Sequence, residues 1–229
     1  MKVPRILTTL AAAAVLFAGS LPAAAEAQTF RADHGGGHGP GQAAFDKSLT
    51  ECSTELLDGD PRLGPLRLPV LGLVGKEVTG YRPTDDLGSE RFLDLYWRDG
   101  GFIFPKQDGY VLNPDGTPQK SEVTLQEDQD IDRFGSERGQ FLAPEGTPYA
   151  QRAIPPQNLV GDPAAGCNYH DYRVLKPFKV FTGPVAPWFA QPGLGTQYQL
   201  DSSLVPGAPP GRDFNVGWLV ANHFLERII

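Results

Sequence analysis

The sequence predicts an α+β fold: a strongly bent, mainly antiparallel β-sheet core with few short helices and a loop-rich N-terminal accessory region. Three observations carry that prediction. Runs rich in β-branched and aromatic residues recur at 172–176, 178–182 and 195–200, as strands require. Segments with helical spacing are too short to cross between parallel strands, which leaves antiparallel pairing. The 27 glycines and 22 prolines punctuate the chain, so much of it must be turn and loop.

Taken in order, residues 1–27 read as a secretory signal peptide. Lys2 and Arg5 form a basic start, 6–18 an apolar run, and Ala25-Glu26-Ala27 a small-residue cleavage site. The apolar run is shorter than the ~20 residues that a membrane span needs, so the chain is expected to be exported to the extracellular space. Residues 28–45 form a Gly/His-rich tether without apolar periodicity. Its His34 and His38 lack the further ligands that make a metal site.

Residues 46–120 are expected as the accessory region and 121–229 as the C-terminal domain. A short helix is expected within 43–57, interrupted by Cys52-Ser53-Thr54 and Gly59-Asp60-Pro61. Residues 61–82 read as loop-rich packing material. Ser89 is placed to N-cap a helix over 90–97 with Phe92, Leu93 and Tyr96 on one face. Two strand-like pieces, 101–105 and 109–112, precede the turn Asn113-Pro114-Asp115-Gly116. Pro177 separates the 172–176 and 178–182 runs, which are expected to meet at a bend. Residues 215–221 predict a short helix with Asn222 as a left-handed cap, and 224–229 an edge or closing strand.

The formal net charge is −7, which argues against nucleic-acid and anionic-membrane partners. From Ile131 onward there are 8 acidic and 8 basic residues, so the acidic excess lies upstream and the C-terminal half repels an anionic ligand less. Cys52 and Cys167 are the two cysteines. In an oxidising compartment they can close into a disulfide, and two independent buried thiols are the alternative. Glu127, Asp128, Asp130 and Asp132 form an acidic run that could bind calcium. A solvated surface run is the preferred reading, because EF-hand spacing and its glycine are missing.

The most chemistry-rich stretch runs from Asp132-Arg133-Phe134-Gly135 through Gly139-Gln140-Phe141-Leu142-Ala143-Pro144 to Arg152-Ala153-Ile154-Pro155-Pro156. It reads as an irregular, surface-presented loop, broken by Gly and Pro. Guanidinium forks match phosphate oxygens bidentately, and an aromatic ring beside them can stack on a heterocycle or face a cation. A dinucleotide suits that combination.

This stretch, followed by Tyr172-Arg173-Val174-Leu175-Lys176-Pro177 and by Ala186-Pro187-Trp188-Phe189-Ala190-Gln191-Pro192-Gly193-Leu194-Gly195-Thr196-Gln197-Tyr198, resembles the TNT (tuberculosis necrotizing toxin) family of NAD+ glycohydrolase domains. Upstream, Gly59-Asp60-Pro61-Arg62-Leu63-Gly64-Pro65 and Phe92-Leu93 to Trp97 look like the secreted fungal NADases that carry the same domain. The resemblance implies a secreted toxin or NAD-depleting exoenzyme that cleaves the nicotinamide–ribose bond of NAD+. It requires no cofactor, NAD+ being the substrate. NADP+ as a substrate, a bound calcium ion, a homodimer and an immunity protein stay open.

In that chemistry the departing ring is already cationic and leaves neutral, so no general acid is needed. The enzyme must hold the dinucleotide, stabilise an oxocarbenium-like ribose and place a water. By resemblance, Arg133 and Arg152 face one pyrophosphate and Phe134 stacks near the nicotinamide. Gln197, preferred over its neighbour Gln191, positions ribose hydroxyls or water. His170 is a general base or a ribose contact, and Trp188 and Phe189 build the pocket wall. Arg138 has no family match and reads as a surface charge. Phe141 stands where some members carry Tyr. ADP-ribosyl transfer or cyclisation is the enzymatic alternative, although only Glu137 and Glu145 lie in the motif block. A catalytically inactive binding protein of the same fold is the non-enzymatic one.

Overall fold

The computed structural model describes residues 46–228. The expected signal peptide and tether, with His34 and His38, lie outside the described residues. A two-residue ladder, β1 (Trp97–Arg98) with β2 (Gly101–Phe102), precedes the main sheet. That sheet contains β3 (Ser121–Leu125), β4 (Asp130–Phe134), β5 (Phe141–Pro144), β6 (Tyr169–Val174), β7 (Phe178–Pro184), β8 (Thr196–Gln199) and β9 (Leu225–Arg227) in the order β3-β7-β8-β5-β4-β6-β9. Every pairing is antiparallel. The helices are short: Gly72–Glu77, Ser89–Tyr96, Tyr149–Arg152 and Val216–Ala221, with helical residues also at 46–50.

The two halves of the sheet meet at β5. Its Phe141 and Leu142 pair with β8, whereas Ala143 and Pro144 pair with β4. On one face, Ile131, Leu142, Tyr172, Val180 and Tyr198 share a core with Phe214, Val216 and Leu219 around the C-terminal helix. A second cluster gathers Phe134, Tyr149, Tyr169, Val78 and Tyr81. A third joins Leu63 and Phe92 of the accessory region to Phe189. Burying each such large apolar side chain contributes roughly 1.5–3 kcal/mol, so the accessory region is anchored by its own packing.

The Trp188 motif is the seam of that anchoring. Trp188 donates from Nε1 to the Ile103 carbonyl at 2.7 Å, and its ring lies 5.8 Å from Tyr96. Ala190 N donates to the Tyr96 hydroxyl at 3.1 Å, and Gln191 Nε2 to the Arg82 carbonyl at 2.9 Å. Cys52 and Cys167 form a disulfide, Cα–Cα 5.3 Å apart across 115 residues of sequence. Of the two readings the sequence left open, the bridge is therefore the one observed, and closing so long a loop is worth about 4–5 kcal/mol in chain-entropy terms.

Several expectations are corrected. The stretch read as an irregular surface loop contains β4 and β5, and Phe134 is only 2% exposed. Its strand character was hidden because a buried polar residue, Asp132, occupies a position where an apolar one would have marked the inward face. Ser89 opens its helix after Gly88, and its hydroxyl donates to Asp58 Oδ2 at 2.5 Å. The strands flanking Pro177 meet at a bend over Leu175 and Lys176, as expected, and part there: β6 joins β4 and β9, while β7 joins β3 and β8. At the C-terminal helix Asn222 has φ −102°, and the left-handed residue is His223 at +58°. Asn215 caps the other end, accepting from Trp218 N at 3.0 Å.

Candidate active site

A cleft of about 670 Å³ opens between the β4–β5 turn, β8 and the accessory segment around Phe104. Arg133, Phe134, Arg152 and Gln197 all line it, together with Arg138 and Arg212. Asp108 is the one carboxylate among the lining residues, so in a chain of net charge −7 the cleft concentrates the opposite sign.

Arg133 projects from β4 into the turn that follows. Its Nε donates to the Gly135 carbonyl at 3.0 Å and its Nη1 to the Phe141 carbonyl at 2.5 Å. Gly139 makes the room: a Cβ there would lie 2.6 Å from the Arg133 Cζ. Among the described residues Arg133 has no carboxylate ion-pair partner. Burial depresses its guanidinium to about 10, with the charge of Arg152 working in the same direction. A cation desolvated by carbonyls and glycine, without a counter-ion, is a ready partner for an anionic ligand.

Arg152 is committed differently. Its Nη1 donates to Asp132 Oδ1 at 2.5 Å, its Nη2 to Asp132 Oδ2 at 2.9 Å and Glu77 Oε2 at 2.7 Å, and its Nε to the Thr147 carbonyl at 2.9 Å. Tyr169 donates to Asp132 Oδ2 at 3.1 Å. The expected picture of two forks turned on one pyrophosphate is therefore not how these side chains lie. The Arg152 guanidinium also sits 5.1 Å from the centroid of the Phe134 ring. That ring packs against Tyr149 and Tyr169 at 4.9 Å each, so Phe134 is a floor of the cleft fixed by the core.

Gln197 stands on β8 and donates from Nε2 to the Asp108 carbonyl at 3.0 Å. Gln191 is buried at the accessory seam and does not line the cleft. His170 pairs with Arg133 across β4 and β6 but is absent from the lining; its Nε2 lies 3.4 Å from Asn168 Oδ1. Burial lowers its pKa, which leaves a neutral imidazole at neutral pH. Trp188 supports the Ile103–Phe104 backbone from behind and also lies outside the lining. Sequence reasoning missed Arg212 and Phe104, the latter 63% exposed at the cleft, and read Arg138, which is exposed and lines the cleft, as a surface charge.

The acidic run does not converge. Asp130 pairs with Arg173 and Asp132 with Arg152, and among the described residues no group of three or more His, Cys, Asp or Glu is arranged to hold a metal.

The buried carboxylates make stability pH-dependent. Glu77 and Asp132 share one guanidinium, and burial raises Glu77 well above the carboxylate range. Burial, reinforced by Glu145, Asp132 and Asp130, raises Asp171 to about 6, and its Oδ1 has no hydrogen-bond partner. Both groups hold a proton more tightly folded than unfolded, where a carboxyl titrates near pH 4. Their contribution is complete below that pH and is lost as pH rises through their folded values. Glu137 and Asp130, lowered by Arg227 and Arg173, act oppositely and lose stability in acid. The melting temperature is therefore expected to peak near pH ~5 and to fall by several degrees toward pH ~8. Calorimetry across that range checks it, and Asp171→Asn is expected to flatten the alkaline limb.

Comparison with known proteins follows the same stretch. Residues 124–228 match the family model described as tuberculosis necrotizing toxin. The conidial surface nicotinamide adenine dinucleotide glycohydrolase nadA of Aspergillus fumigatus is 44% identical over 145 residues, which cover 61% of this chain and 62% of that protein. The chain thus matches less than two thirds of the length of that relative. Among solved structures, tuberculosis necrotizing toxin complexed with its immunity factor is similar over 75% of this chain and 79% of that one, at 17% identity and a TM-score of 0.42. Rhs1-CT in complex with its cognate immunity protein is similar over 49% and 80%, at 17% identity and 0.31. Over residues 124–228, a little under half of its length, the chain is similar to the tuberculosis necrotizing toxin family.

Proposed function

We propose that this protein is an exported NAD+ glycohydrolase that cleaves the nicotinamide–ribose bond of NAD+ to give nicotinamide and ADP-ribose. The observation that carries the reading is Arg133, a half-buried guanidinium without a carboxylate ion pair among the described residues, in one cleft with Gln197. The name of the 44% identical relative points the same way.

Nicotinamide leaves as a neutral ring, so the site needs a held phosphate, oriented ribose hydroxyls and a placed water rather than an acid. Arg133 supplies the anion contact. Gln197 can donate and accept at once, toward the ribose or the water. Phe134, backed by Arg152, closes the floor. His170 pairs with Arg133 across β4 and β6 and lies outside the cleft lining. Export and toxicity belong to this reading too, as does an immunity protein, because a cell that makes an NAD+-consuming enzyme must keep it covered until release.

Incubating the purified chain with NAD+ and resolving the products by chromatography tests the reading. Equal amounts of nicotinamide and ADP-ribose are expected. Protein-bound ADP-ribose or a cyclic product would move the assignment to transfer or cyclisation, and NAD+ bound without turnover would make the chain an inactive binding protein.

A further inference from the structure

The substrate proposed above carries a pyrophosphate with two negative charges, and Arg133 answers one of them. Arg152 cannot answer the second, since two carboxylates already neutralise it and most of its N–H groups are taken. The lining holds two further guanidinium groups, Arg138 and Arg212, and neither makes a carboxylate ion pair among the described residues.

Their positions are built. Arg138 lies in the β4–β5 turn and Arg212 in the turn Gly211–Asp213, far apart in sequence. Gln140 Nε2 donates to the carbonyls of Gly211 at 3.0 Å and Phe214 at 2.9 Å. Val216 N donates to the Gly139 carbonyl at 3.1 Å and Gly217 N to that of Glu137 at 2.9 Å. Four hydrogen bonds therefore stitch the β4–β5 turn to residues 211–217, the segment that carries Arg212. The nearest acid in the β4–β5 turn, Glu137, is occupied by Arg227 and by the Tyr172 hydroxyl. It cannot compete for Arg138.

We infer that Arg138 and Arg212 form a second anion clamp at the rim of the cleft and bind the pyrophosphate of the dinucleotide together with Arg133. The inference rests on the NAD+ reading. A guanidinium pair at the rim fits phosphate oxygens bidentately, and in a net-acidic chain it also draws an anionic substrate to the right opening.

A ladder of substrates tests it: NAD+ with its pyrophosphate, nicotinamide mononucleotide with one phosphate, and nicotinamide riboside with none. Arg138→Ala and Arg212→Ala are each expected to lower kcat/KM on NAD+ by about 10- to 100-fold, mainly through KM. The loss should shrink at each step down the ladder, and Arg138→Lys should recover part of it. Equal losses on all three substrates would reduce the pair to a structural role, and no loss on NAD+ would overturn the clamp. Calorimetric titration of ADP-ribose gives a second readout, with affinity at least tenfold weaker in the double alanine variant; equal affinity overturns the inference. If the wild type binds ADP-ribose through these arginines yet cleaves no NAD+, the clamp stands and the glycohydrolase reading fails.

Discussion

Arg133→Ala is expected to lower kcat/KM for NAD+ by at least ~100-fold while the melting temperature changes little. The asymmetry follows from where the guanidinium lies. It is partly shielded from solvent, donates to the carbonyls of Gly135 and Phe141, and is ion-paired with no carboxylate among the described residues. Removing it deletes two hydrogen bonds but also relieves a buried charge, so the stability terms nearly cancel. A substrate phosphate has no such substitute. Gly139→Ala should act on the same group without touching it, because the added methyl occupies the space of the guanidinium. Steady-state kinetics with parallel melting curves separate these outcomes. Full activity in both variants would remove Arg133 from the site.

Arg152→Ala is expected to fail in the opposite way, destabilising the fold by about 3–5 kcal/mol because it strands Asp132 in the interior without its counter-ion and leaves Glu77 without its hydrogen-bond donor. Both carboxylates are essentially inaccessible, and Phe134 loses the cation over its ring. Urea denaturation measures the loss, and adding Glu77→Gln and Asp132→Asn should restore part of it. Any fall in activity then reflects a collapsed floor rather than a lost phosphate contact. An Arg152→Ala protein with unchanged stability and no activity would contradict this and return Arg152 to the substrate.

The strands of the C-terminal half were legible because they bury β-branched and aromatic side chains in short runs: β6, β7, β8 and the closing β9 fall where the pattern puts them. β4 was not, since its inward face carries Asp132 and its partner Arg152 lies 20 residues away. An ion pair inside the core erases the apolar alternation that marks a strand. The same reason hid the carboxylate partners of Arg152: a guanidinium in a motif block looks alike whether it meets phosphate or carboxylate. Gln197 and Gln191 differ in the fold by a seam hydrogen bond to Arg82, which depends on a region over a hundred residues upstream. Trp188 was placed in the pocket wall for want of that same seam, which turns it toward Ile103. Arg212 could not be found from the motif at all. It reaches the cleft only because Gln140 holds its turn against the β4–β5 loop.

The structure of the chain with ADP-ribose bound tests the arginine-lined cleft most directly. Ligand is expected in the cleft floored by Phe134, with the pyrophosphate within hydrogen-bonding distance of Arg133 and the rim arginines, the ribose beside Gln197, and Arg152 still paired with Asp132 and Glu77. Ligand bound elsewhere, or an Arg152 that leaves its carboxylates to grasp the phosphates, would contradict it.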